Sequence, residues 1–235
     1  QGAAAMARWR WRGGGGGRRA ASVRPRAREQ DGCLAIQEEG ARMDFRDPPK
    51  TAAWQHIKAR TGFEVVYFQP SADGWRVNGC TTAVEDGRTW SVEYELELDA
   101  AWATRGAHLA GRSADGHRTA SIVTDGAGHW QIDGRVSPEL DGCRDIDLES
   151  SAMTNALPVR RLRLADGDRA AAPAAYVRAA DLTVERADQS YALVRDTSGA
   201  QRYAYAAPGF GVECRLTYDG SGLLRDYPGL AIRVV

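Results

Sequence analysis

No apolar run in this 235-residue sequence approaches the ~20 residues that a membrane-crossing helix needs. Cysteine is scarce: Cys33, Cys80, Cys143 and Cys214 lie far apart and form no C-x-x-C pair, so zinc or thioredoxin-type chemistry has no support. With no signal segment in view, the four read as reduced thiols of a cytoplasmic protein. Histidine is sparse too. His56, His108, His117 and His129 make no H-E-x-x-H or H-x-H pattern, so no metal site is expected. The G-x-S-x-G nucleophile elbow, the P-loop, a G-x-G-x-x-G turn opening a helix and the spaced ligands of a calcium loop are all missing. Ser221, in "DGSGL", belongs to a turn. The sequence therefore calls for no cofactor, and it specifies no oligomeric state.

Acid is absent from residues 1–28, which carry eight Arg. The remainder holds 23 basic and 31 acidic residues, a net charge of about −8. An acidic body argues against nucleic acid as a partner, because phosphate contacts require a positive surface. "WRWRGGGGGRRAASVRPRAR" (9–28) has no apolar periodicity and cannot bury enough surface to fold. Residues 1–42 are accordingly read either as a disordered basic tail, including a targeting peptide, or as upstream sequence before a start at Met43. Residues 43–235 are expected to form one domain.

Convincing helices are also lacking, and what is present is β. In "WSVEYELEL" (90–98), Trp90, Val92, Tyr94, Leu96 and Leu98 share one face while Ser91, Glu93, Glu95 and Glu97 share the other. "FEVVYF" (63–68), "RTASIVT" (118–124), "HWQIDGRV" (129–136) and "FGVECRLTY" (210–218) read likewise. "TAAWQHIKAR" (51–60) fits a short helix or a strand. Asp-Gly occurs nine times, mostly between strand-like runs, and supplies the positive φ angles of tight hairpins. "WRVNGCTTAVEDG" (75–87) aligns with "WQIDGRVSPELDG" (130–142), which predicts two equivalent hairpins. The fold class is therefore all-β: a single large curled antiparallel sheet, since long flat sheets are disfavoured and a curled one can enclose an apolar cavity.

"LDGCRDIDLESSAMTNALPVRRLRL" (140–164) carries the densest chemistry. It reads as two strands joined by a polar connection at Glu149–Leu157. Asp145 and Asp147 would point to one face, about 6–7 Å apart. They would either line solvent, with Ile146 and Leu148 inward, or act as an acid–base pair on a sugar or hold a divalent cation. On a strand at 159–164, Arg160 falls on the apolar face with Leu162 and Leu164. It then needs a partner, either Asp145, Asp147 or a ligand anion. In "DAAWATRGAHL", Trp102 and Arg105 form a stacked pair that would bind a sugar or lipid headgroup, or cap the barrel.

The same stretch resembles the hallmark of the putative glycolipid-binding family, formerly a domain of unknown function. Its pattern corresponds here to Gly142-Cys143, Asp145 and Asp147, Thr154-Asn155, Leu157-Pro158 and Arg160-Arg161. "GFEVV" (62–66), "VEYELELDAAWATR" (92–105), "GHWQIDG" (128–134) and "DYPGL" (226–230), which holds Tyr227, are also similar. The resemblance implies a spiral β-roll akin to the half-barrels that carry lipoproteins. It also implies a lipid or glycolipid ligand held without catalysis in a cavity of the curled sheet, with Thr154, Asn155, Arg161 and Tyr227 joining the residues above as binding candidates. Ser151-Ala152-Met153 replaces the family's Thr-Pro-Phe, so Met153 would reshape a pocket that the aromatic lined. The alternative is a hydrolase or isomerase on a glycosylated or anionic substrate, using Asp145, Asp147 and Arg160.

Overall fold

The computed structural model describes residues 44–195 and 201–235. The expectation for residues 1–42, and Cys33 within them, lies outside the described residues. Fourteen strands form one open antiparallel sheet. One arm is a meander from β1 (Thr51–His56) through β2 (Thr61–Ser71), β3 (Gly74–Glu85), β4 (Arg88–Asp99), β5 (Thr104–Ser113), β6 (Gly116–Thr124) and β7 (Trp130–Ile132) to β8 (Arg135–Val136). A small inner sheet follows in sequence: β9 (Asp145–Leu148) lies parallel to β11 (Ala174–Val177), which pairs with β12 (Val184–Ala187). The other arm joins β10 (Arg169–Ala171), β13 (Ser190–Arg195), β14 (Gln201–Ala207), β15 (Val212–Tyr218), β16 (Leu224–Tyr227) and β17 (Ala231–Arg233). Pairing of β17 with β1 unites the two arms.

Alternation decides which face is buried. Trp90, Val92, Tyr94, Leu96 and Leu98 of β4 all turn inward, as their period of two requires. Trp54, Val66, Val77, Ile122 and Leu216 are fully buried on the same face. Against them pack Ile146, Met153, Leu157 and Ala175 from the enclosed segment. "TAAWQHIKAR" resolves as strand β1. Two Asp-Gly pairs make the hairpins their chemistry favours. Asp86 (φ 48°) and Gly87 (φ 75°) join β3 to β4, and Asp133 (φ 49°) and Gly134 (φ 76°) join β7 to β8.

Two expectations are corrected. The internal repeat does not give equivalent hairpins: 75–87 is one long strand and its turn, whereas 130–142 is a complete short hairpin followed by a 3-10 turn at Pro138–Leu140. Residues 159–164 are not a strand. Ala156–Leu162 form the helix α1, preceded by a 3-10 turn at Met153–Asn155. Pro158 sits in the first helical turn, where its missing N–H costs nothing, and the helix ends at Arg163 in the left-handed region (φ 48°). Over so few residues, apolar positions fit a period of 2 and of 3.6 alike.

Candidate functional site

The segment expected to be a polar connection is instead the filling of the roll. Every residue from Ser150 to Arg160 is buried. Glu64, on the inner face of β2, anchors it. Its carboxylate accepts the Tyr94 hydroxyl (2.6 Å), the Ser151 hydroxyl, and the backbone N–H groups of Ala152 (2.7 Å) and Met153 (3.3 Å). Burial pushes the Glu64 carboxyl above its usual range, and these four donors pull it back. Tyr94 reaches Glu64 by lying across Gly79, where any Cβ would stand 2.1 Å from the ring. The interior that a ligand cavity would need is thus occupied by the chain's own side chains. Met153 is fully buried among them.

Asp145 does not line solvent. It is 1% exposed, and Arg161 grips it with two parallel bonds, Nε to Oδ1 at 2.9 Å and Nη2 to Oδ2 at 2.5 Å. The helical turn of α1 puts Arg161, rather than Arg160, opposite this carboxylate. Arg160 reaches neither Asp. Its guanidinium lies 3.8 Å from the centre of the Trp102 ring and donates to the carbonyls of Ser221 and Arg46 (3.1 Å for the latter). Burial lowers its pKa to about 10. Trp102 therefore stacks with Arg160 and not with Arg105, which is exposed and paired with Asp99 at 2.8 Å. Trp102 is buried with a left-handed backbone (φ 69°), a conformation held by its packing on Arg160, Trp75 and Phe68 and by Asp99 Oδ1 accepting the N–H groups of Ala101 and Ala103.

Four of the expected residues do converge. Asp147 accepts the Thr154 hydroxyl at 3.2 Å and the Gln189 amide, and burial raises its carboxyl to about 6. With Asn155 and Tyr227 it lines a narrow pocket that also touches Glu149, Tyr176 and Phe210. Asn155 takes the Tyr191 hydroxyl on its side chain and the Tyr218 hydroxyl on its carbonyl. The free volume is only about 20 Å³. Asp145 and Arg160 do not line it, and Asp147 alone of the Asp145, Asp147 and Arg160 set faces it.

The large concavity lies on the opposite face of the sheet. An open groove of about 820 Å³ crosses β2 to β6. Two rows of cross-strand neighbours make its floor: Val65, Cys80, Glu93, Ala110 and Thr119, and beside them Tyr67, Asn78, Glu95, His108 and Ser121. A further hollow of about 510 Å³ shares Thr119, Ala120 and Asp133 with it. The groove is apolar at the β2 end, where Val65 is 38% and Tyr67 52% exposed, with Phe63 exposed on the same strand. It is acidic in the middle, with Glu95 also bridged to Arg76 at 3.3 Å. Sequence reasoning missed this surface, although "FEVVYF" carries its signal. Both faces of that strand are apolar, while only one can meet the core.

Fold and geometry together define an open, curled β-roll whose described interior holds the buried stretch Ser150–Arg160, with an open groove on its outer face and a narrow pocket beside Asp147. The model of the family described as "Putative glycolipid-binding" matches residues 51–233, and the chain belongs to that family. A DUF1089 family protein from Pseudomonas aeruginosa is similar in structure, with a TM-score of 0.64, 35% sequence identity, and coverage of 73% of this chain and 92% of that one. The beta-barrel-like protein of DUF1849 from Brucella abortus aligns with a TM-score of 0.48 and 14% identity over 81% of this chain and 96% of that one. Comparison with curated proteins gives no match. No helix among the described residues is long and apolar enough to cross a membrane.

Proposed function

We propose that this protein binds a lipid or glycolipid without turning it over, and that the ligand lies in the outer groove rather than inside the roll. The observation that carries this reading is the groove's polarity along its length. Val65 and Tyr67 offer exposed apolar area at one end, and Asn78, Glu93 and Glu95 offer acceptors for sugar hydroxyls in the middle. Its volume falls in the range of about 300–1,000 Å³ typical of small-molecule sites. The family's description supports the same class of ligand. The free thiols of Cys80, Cys143 and Cys214 support a reducing, cytoplasmic setting.

Native mass spectrometry of gently purified protein, followed by calorimetric titration with a neutral glycolipid in micelles, tests the proposal. The doubly substituted Val65→Ser/Tyr67→Ser chain should bind about tenfold more weakly, which corresponds to roughly 1.4 kcal/mol, with an unchanged unfolding midpoint. Undiminished binding by that variant would move the ligand elsewhere, and absence of any lipid binding by the wild type would overturn the reading.

A further inference from the structure

Asp145 and Asp147 are neighbours on one strand, and their surroundings treat them unequally. Asp145 has the Arg161 guanidinium. Asp147 has only neutral donors, the Thr154 hydroxyl and the Gln189 amide, and no cationic side chain pairs with it among the described residues. A largely desolvated carboxylate without a counter-charge is costly to keep. Against it lies the pocket of about 20 Å³, room for one water-sized group. Tyr176, Phe210, Tyr205 and Tyr227 wall it, with Tyr176 and Phe210 centred 4.6 Å apart and Tyr205 set edgewise to Tyr227 at 5.9 Å. Aromatic rings present a negative face to a cation. Among the described residues, Asp147 and Glu149 are the carboxylates on the wall and no basic residue lines it. Arg60 donates to the Glu149 carbonyl at 2.6 Å, and Arg178, whose guanidinium lies 6.0 Å from the centre of the Tyr176 ring, pairs with Glu185 at 2.5 Å.

We propose that this pocket binds a primary ammonium group, with Asp147 as its counter-ion and the four rings as its walls. An –NH₃⁺ head matches one water in size and brings three donors to a site rich in acceptors. A trimethylated ammonium exceeds the space. The remainder of the amine leaves past the half-buried Phe210, Val212 and Leu230. The site is on the other side of the sheet from the groove and does not depend on it.

The titratable groups facing Asp147 are Asp145 and Glu149 on its own segment, Tyr176 on β11, and Tyr191, Tyr205, Tyr218 and Tyr227 on the outer sheet. Burial pushes all five tyrosine hydroxyls upward, so they remain neutral near pH 7. The full chain is titrated with methylammonium chloride at pH 7.5 or so and followed by NMR, with tetramethylammonium and sodium chlorides as controls. The expected result is saturable shifts of the Gln189 side-chain amide and the Thr154 amide with methylammonium alone. These should weaken as pH falls through about 6, where Asp147 gains its proton. Asp147→Asn should weaken binding about tenfold, and Phe210→Leu, at the half-buried rim, about threefold. Equal shifts with all three salts, or affinity unchanged in either folded variant, would overturn the site. Val65→Ser/Tyr67→Ser should leave it intact, so that failure here and failure of the groove reading are told apart.

Discussion

Arg160 and Arg161 are adjacent in sequence and identical in chemistry, yet they do different work. Arg161 neutralises a buried carboxylate, while Arg160 is sandwiched against Trp102 and fixes Ser221 and Arg46 by their carbonyls. Removing one partner from a buried pair leaves an uncompensated charge, which costs about 3–5 kcal/mol. Arg161→Met should therefore lower stability by about that amount in urea unfolding. The double variant Asp145→Asn/Arg161→Met should regain part of the loss, because the stranded charge goes with it. A single variant as stable as the wild type would show that the pair contributes nothing. The sequence announced the charges and their need for partners. It did not announce which Arg meets which Asp, since that follows from whether Ala156–Leu162 is strand or helix.

At the level of elements, the decisive feature is the buried stretch from Ser150 to Arg160. It contains the polar residues Ser150, Ser151, Thr154 and Asn155, which on composition belong at the surface. Ser151 donates its hydroxyl to Glu64, Thr154 donates to Asp147 and Asn155 accepts the Tyr191 hydroxyl, while Glu64 also takes the backbone N–H groups of Ala152 and Met153. Glu64→Leu would strand the hydroxyls of Tyr94 and Ser151 and the N–H groups of Ala152 and Met153, at about 1–3 kcal/mol for each buried group left unpaired. We expect a loss of at least about 3 kcal/mol. In hydrogen exchange, the amides of Ala152 and Met153 should lose protection before those of β4. If both sets exchange together and stability is unchanged, Glu64 is not the anchor. Its side chain was legible as an anomaly, a Glu alternating with Val66 and Phe68 on an otherwise apolar face. Its partners lie 30, 87, 88 and 89 residues away, beyond any local pattern.

For the whole molecule, β17 is the joint between the two arms, because it pairs with β1 through Trp54–Arg233, Gln55–Ile232 and His56–Ala231. Deleting Ala231–Val235 should bare an edge of β1 and β16 and uncouple the arms. The expected outcome is a lower and broader thermal transition by circular dichroism, with increased aggregation. A truncated chain that melts as sharply and as high as the full one would contradict this.

The sequence by itself determined the clearly alternating strands, such as 90–98 with its buried face, and the tight Asp-Gly turns, because pleat alternation and turn stereochemistry are local. It also marked 140–164 as the segment where charge is concentrated. Tertiary structure alone decided that this segment fills the roll, that α1 is helical, that Asp145 is neutralised while Asp147 is not, and that the open concavity lies outside. Those outcomes depend on which side chains meet across the curled sheet, and in a fold whose first and last strands are neighbours such meetings are set by long-range pairing rather than by neighbours in the chain.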